Sequence, residues 1–217
     1  MKYDCLVLLI CLLTTFPAIA QKDIKAKEML EKSEIAFNSS GAISAYFTIN
    51  IRESVSRDIK SFDGTIYIKG NKFKINAPDY DVYFDGTTQW VYNKIHGEVN
   101  ISDPDTTEIQ TLNPSVIYQI YRKGCNYKFV GTKTDVKMRK VSEIILMPKS
   151  KKQDVRELTL QVNEKDFLPV YFHLKFKNND LDNEIFINKY NINQNLSDNI
   201  FIFDASQFPD VEIIDLR

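Results

Sequence analysis

Between Phe62 and Val99, apolar and polar residues alternate in short runs. The runs are Phe62-Asp63-Gly64-Thr65-Ile66-Tyr67-Ile68-Lys69, Lys72-Phe73-Lys74-Ile75-Asn76, Val82-Tyr83-Phe84 with Trp90-Val91-Tyr92-Asn93, and a closing Gly97-Glu98-Val99. Gly70-Asn71, Asp85-Gly86 and His96-Gly97 punctuate them. Alternation with period two buries one face and wets the other, and Asp-Gly is a strong hairpin signal. The pattern predicts four short antiparallel strands in succession, forming a curved sheet with one apolar face. Phe84 and Trp90 flank the Asp85-Gly86 turn and are expected to project from adjacent strands into one wall. That face reads either as ordinary packed core or as the lining of a binding cavity, since alternation is the same for both.

The rest of the chain supplies helices to cover such a face. From Ile24 to Asn38, Ala26, Met29, Leu30, Ser33 and Phe37 fall on one side at helical spacing, with Lys25, Lys27, Glu28 and Glu31 among those opposite. Asn38-Ser39-Ser40-Gly41 ends this helix. A strand follows in which Phe47, Ile49 and Ile51 share a face. Asn113-Pro114-Ser115 starts a second, short helix, with Asn113 as cap and Pro114 in the first turn. Its stripe is Val116, Ile117, Ile120 and Tyr121. Strands then resume through Tyr127 and Phe129, Leu158 to Val162, Val170 to Phe176, and Ile185 to Ile187, the last opening after a polar turn Asn178-Asn179-Asp180. A run from Ile200 to Phe203 and a last strand around Val211 to Ile214 close the chain. Two helices and roughly ten to twelve strands joined by short turns predict a mainly β protein with helices. The expected architecture is one strongly curved antiparallel sheet, bent into an open, unclosed barrel, with the helices packed on its concave side. A two-sheet sandwich is the alternative, and the helical stripes, which need a surface to cover, weigh against it.

The N-terminus reads as a secretory signal peptide over residues 1–20. A short charged head precedes the apolar run Cys5 to Phe16 and an Ala18-Ile19-Ala20 end. Cleavage there leaves a single domain over 21–217, expected to be a soluble monomer. Neither Cys5 nor Cys11 stands in a lipid-attachment pattern, and Cys125 is then the one remaining cysteine, so no disulfide framework is expected. With 28 basic and 29 acidic residues interspersed, the chain offers no basic stripe for nucleic acid.

Catalytic and metal chemistry find little support. The two histidines, His96 in a turn and His173 on an outward face, belong to no metal-ligand spacing, and no nucleophile elbow, phosphate loop or dinucleotide fingerprint is present. Asp81, Asp85 and Glu98 read as turn carboxylates rather than a glycosidase pair. No cofactor, no metal and no enzymatic activity are expected.

The order Phe62-x-Gly64-x-Ile66-x-Ile68-Lys69, a strand ending in Pro78, an Asp85-Gly86 turn running into Trp90-x-Tyr92-Asn93, and Glu98-Val99 resembles the outer-membrane lipoprotein carrier proteins of the LolA type. The likeness extends from the opening helix and Ala45-Tyr46-Phe47 to Phe201-Ile202-Phe203-Asp204 and Phe208-Pro209-Asp210-Val211. It implies an open barrel with a helical lid over an apolar cavity that encloses the acyl chains of lipoproteins. The implied task is to take lipoproteins from an inner-membrane releasing ABC transporter and deliver them across the periplasm to an outer-membrane receptor or to the outer membrane itself. Burying a methylene is worth about 0.8 kcal/mol, so acyl chains need such an enclosure to cross water. The grip is expected to be non-directional, without fixed polar anchors.

The expected lining is Phe47, Ile49, Phe62, Ile66, Ile68, Phe73, Val82, Phe84, Trp90 and Tyr92, with Phe172, Leu174 and Phe176 from the far side of the sheet. Met29, Leu30, Phe37, Ile117 and Tyr121 are expected as the underside of the lid. One departure stands out. Where better-known members carry Lys-Arg-Pro, this chain has Lys69-Gly70-Asn71, so the arginine taken to latch the lid is missing. A sensor of lipid or lipoprotein on the same scaffold, or a transfer protein for another acylated cargo, are the alternatives.

Overall fold

The computed structural model describes residues 18–53, 58–103, 118, 121–122, 124–149, 154–177 and 181–217, and only the backbone of residues 18–23, 53 and 181. The predicted start of the second helix at Asn113-Pro114-Ser115, with Val116, Ile117 and Ile120, lies outside them, as do the turn at 178–180 and the signal-peptide core.

Helix α1 spans Ala18–Ser39. Its stripe of Ala26, Met29, Leu30, Ser33 and Phe37 is buried throughout, and the charged residues opposite are exposed. The helix ends where Gly41 takes a φ of 65°, and the Ser40 amide donates to the Phe37 carbonyl. Tyr118, Tyr121 and Arg122 are helical as well.

Twelve strands form one sheet: β1 (Ile43–Glu53), β2 (Ile59–Lys69), β3 (Lys72–Asn76), β4 (Tyr80–Phe84), β5 (Gln89–Asn93), β6 (Glu98–Ser102), β7 (Cys125–Thr134), β8 (Lys140–Pro148), β9 (Val155–Asn163), β10 (Pro169–Phe176), β11 (Leu181–Asn191) and β12 (Glu212–Asp215). Their order is β12-β6-β5-β4-β3-β2-β1-β11-β10-β9-β8-β7, and the sheet does not close on itself. Two antiparallel meanders are thus joined where β1 meets β11. Two details differ from the sequence expectation. The stretch from Phe62 to Val99 holds five strands, β2 to β6, rather than four. The final strand is also not antiparallel: β12 lies parallel to β6, which the segment after Gln194 permits by returning across the outer face.

That returning segment is tied down by charge. Lys69 Nζ donates to the Leu196 carbonyl at 2.8 Å and to Asp198 Oδ1 at 2.7 Å, and Lys72 Nζ donates to Asp198 Oδ2 at 2.9 Å. The β2–β3 hairpin, which lacks the family arginine, therefore grips the C-terminal segment. These two lysines hold the Asp198 carboxyl down at about 2. A depressed carboxylate contributes above its ordinary pKa and is lost as pH falls through the folded value. The tie's contribution to stability is thus expected to be complete at neutral pH and to fall below about pH 4, with the carboxyl half protonated near pH 2. An NMR titration of the Asp198 carboxyl checks this, and an ordinary midpoint would show the tie to be absent.

Candidate functional site

The register sorts the expected lining by face. Residues directly opposite one another in a ladder project to the same side. Phe62 lies opposite Ile49, Gly64 opposite Phe47, Ile66 opposite Ile75 and Phe73 opposite both Ile68 and Phe84. On the other meander, Phe172 lies between Leu160 and Ile185, and Leu174 between Leu158 and Asn183. All of these are on the concave face under α1. Phe47, Ile49, Ile66, Ile68, Phe73, Phe84, Phe172 and Leu174 form one buried cluster with Met29, Leu30 and Phe37, and Phe62, Val82, Phe176 and Tyr121 pack against it, half-buried.

Trp90 and Tyr92 are elsewhere, and this is a correction. The Asp85 carboxylate accepts the amides of both Thr87 and Thr88 at 2.9 Å, and the Asp85 amide donates to the Thr88 carbonyl. The turn therefore ends at Thr88, and Phe84 lies opposite Gln89 rather than Trp90. That single step turns Trp90 and Tyr92 to the convex face, because side chains alternate with period two. There they join Tyr83, Val99, Phe203 and Phe208 in a second, smaller cluster under the C-terminal segment. Phe203 stacks on Phe208 at 5.0 Å and meets Tyr83 edge-on at 5.6 Å. A groove of about 590 Å³ runs beside this cluster, lined by both polar and apolar side chains, among them Lys74, Asn199 and Ile202.

The lid is fastened from several sides. Ser33, small and fully buried on the apolar stripe of α1, shares a 2.8 Å hydrogen bond with the Tyr118 hydroxyl. Phe37 packs on the Tyr118 ring, and Arg122 pairs with Glu34. Burial pushes the Tyr118 hydroxyl well above its ordinary range, so it stays a neutral partner. Lys25 lies over the Phe129 ring at 4.3 Å and Lys32 over Phe167 at 5.4 Å, tacking the rim of the helix to β7 and the β9–β10 turn. The variant Ser33→Ala leaves that buried hydroxyl unpaired and is expected to cost about 1–3 kcal/mol. Urea denaturation measures it, and Tyr118→Phe in the same background should recover most of the loss.

The cover is uneven. From above Phe129 in mid-β7, α1 passes Phe167 at the β9–β10 turn and ends beside the start of β1. At the opposite end of the sheet, Ile51, Phe62, Phe176, Tyr127 and Tyr121 are only half-buried. Among the described residues, five of the nine partly buried apolar side chains packed on this core stand at that end, while Phe167 and Tyr190 are partly buried at the other. Leu146, Leu158, Leu160 and Ile51 belong to this wall although the sequence reading does not place them in it. The shared parity of Ile51 with Phe47 and Ile49, and of Leu158 with Leu160, is the available signal.

The remaining candidate chemistry resolves into structural roles. Asp81 pairs with Lys94 at 2.7 Å, Asp85 shapes its turn, and His173 Nε2 lies 3.5 Å from Asp182 on the outer face. Cys125 is buried, which pushes its thiol up. Among the described residues no group of three metal-ligating side chains occurs, and no helix is long and apolar enough to cross a membrane.

A family model described as outer membrane lipoprotein carrier protein LolA matches residues 13–178. No curated protein matches the chain. Among solved structures, an uncharacterized conserved protein from Thermus thermophilus superposes with a TM-score of 0.56 at 12% identity, covering 88% of this chain and 99% of that one. The LolA superfamily protein NE2245 from Nitrosomonas europaea gives 0.46 at 11% identity, with 83% and 98% covered. The MucA/MucB complex of Pseudomonas aeruginosa gives 0.47 at 14% identity, with 83% and 62% covered. The Thermus likeness, at such an identity, is one of fold.

Proposed function

The chain belongs to the outer-membrane lipoprotein carrier family, and from that premise we propose that it is a periplasmic carrier whose concave face takes up the acyl chains of lipoproteins. The family's members bind and carry lipoproteins in the periplasm and are not enzymes. On this reading the chain is exported with residues 1–20 removed, receives its cargo from an inner-membrane releasing transporter, and hands it to the outer membrane or a receptor there. The single observation that supports it most is the uneven cover of the concave face. Ile51, Phe62, Phe176 and Tyr127 of the sheet, with Tyr121 of the helical segment beside them, stay partly exposed at this end, whereas Phe73 and Leu158 are buried completely. Leaving five large apolar side chains half-wet at one end forgoes part of about 1.5–3 kcal/mol for each, a cost that an acyl-chain mouth explains.

Truncating this mouth separates uptake from folding. Phe62→Ala and Phe176→Ala are expected to cost only about 1–2 kcal/mol of stability, since part of each ring is already in water. Both should lower the release of a lipoprotein from inner-membrane vesicles. Release at the wild-type level by both well-folded variants would place the cargo elsewhere.

A further inference from the structure

The concave wall contains one polar side chain that its neighbours do not satisfy. Asn183 stands on β11 in phase with Ile185 and Ile187, opposite Ile51 of β1 on one side and Leu174 of β10 on the other. The paired residues are both members of, or packed on, the apolar cluster, so the amide of Asn183 enters the same wall. Its Oδ1 is removed from solvent and has no hydrogen-bond partner among the described residues. Such groups are rare in folded proteins, and each costs free energy that a leucine here would not. Two other buried acceptors, on Asn76 and Asp81, differ in kind: they face one another across β3 and β4 on the convex side, with Lys94 Nζ 2.7 Å from Asp81 Oδ1.

Its position along the strands gives the orphan carbonyl a use. It lies level with Ile51 and Leu174 and one step inside Phe176, and beyond it the wall is hydrocarbon: Ile185, Ile49 with Phe62 beside it, Phe172 and Leu160. An acyl chain entering from the mouth lies along that wall with its linkage near Asn183. We propose that Asn183 accepts a hydrogen bond from the N–H of an amide-linked acyl chain, so that the site distinguishes N-acyl lipids from those joined only through esters. An ester presents acceptors alone and leaves the Asn183 carbonyl unpaired, whereas an amide N–H satisfies it in a site shielded from water. This rests on the acyl-binding reading above and adds to it a determinant of ligand class.

The test compares two matched probes, N-palmitoyl-glycine methyl ester and its analogue in which an ester oxygen replaces the amide N–H, on the mature protein. Displacement of an apolar fluorescent dye reads binding. Wild type is expected to prefer the amide about tenfold, the worth of one buried hydrogen bond. Asn183→Leu should bind both probes with equal affinity while being as stable as wild type or more so, because it removes an unpaired buried group. Equal binding of the two probes by wild type, or a preference that survives in Asn183→Leu, overturns the role of Asn183 and leaves acyl binding standing. Marked destabilisation of Asn183→Leu would instead assign the side chain to the fold and also overturns it. Binding of neither probe by wild type removes the acyl-binding reading itself, and this inference with it.

Discussion

Phe73→Ala is expected to lower folding stability by about 3–5 kcal/mol in chemical denaturation, the usual cost of emptying a fully packed aromatic site. Phe73 is completely buried on the concave face beside the β2–β3 turn, between Ile68 and Phe84, with its ring 5.2 Å from that of Phe84. It lies on the closed part of the wall, where packing leaves no free surface, so the void left by the ring cannot collapse cheaply. The same substitution at Phe62 or Phe176 should cost less than half as much. The contrast between closed wall and open mouth is thus measurable in stability alone. A small loss at Phe73 would mean that the face is loosely filled throughout and that no boundary between core and site exists.

Gly64→Ala, a change of one methyl group, is expected to cost about 3 kcal/mol, near the upper end of ordinary overpacking. Gly64 lies opposite Phe47, whose ring covers it. A Cβ added at Gly64 would stand 2.4 Å from Phe47 Cζ and 2.9 Å from the backbone carbonyl oxygen of Asn76. The ring could swing aside, but the carbonyl belongs to the neighbouring strand and cannot move without breaking the β2–β3 ladder. Gly64 is therefore required by close approach rather than by a left-handed backbone. Phe47→Leu in the Gly64→Ala background should recover part of the loss, since it removes the closer of the two contacts, and a double-mutant cycle reads that coupling. Additive losses would show that the ring and the glycine do not share the space.

Periodicity makes much of this arrangement readable. The buried stripe of α1 follows from the spacing of Ala26, Met29, Leu30, Ser33 and Phe37, and the concave face of β1 from Phe47, Ile49 and Ile51, because these periods are fixed by backbone geometry. What periodicity does not carry is register across a turn. Whether Phe84 faces Gln89 or Trp90 depends on how many residues Asp85 ties into the turn, and one residue reverses every side chain beyond it. Strand β8 is hidden for a related reason: Ile144-Ile145-Leu146-Met147 is continuously apolar and shows no alternation, although Ile144 and Leu146 are fully buried and Met147 is exposed. The expectation of a wall with no polar anchor comes with the carrier reading, and the strand expected after the turn Asn178-Asn179-Asp180 is marked by Ile185 and Ile187, so Asn183 is not placed on the wall. The parity of Asn183 with Ile185 and Ile187 is the signal, but only the ladders on both sides show that its neighbours are apolar.

The central claim is that acyl chains enter the concave face at its half-buried end. The most direct measurement uses a triacylated lipopeptide with a photoreactive group along one acyl chain, crosslinked to the mature protein and mapped by mass spectrometry. The account predicts crosslinks at Ile51, Phe62, Phe176 and Tyr127, with none at Trp90, Tyr92 or Phe208. Crosslinks concentrated on that convex cluster, or none on the concave face at saturating lipopeptide, would contradict it.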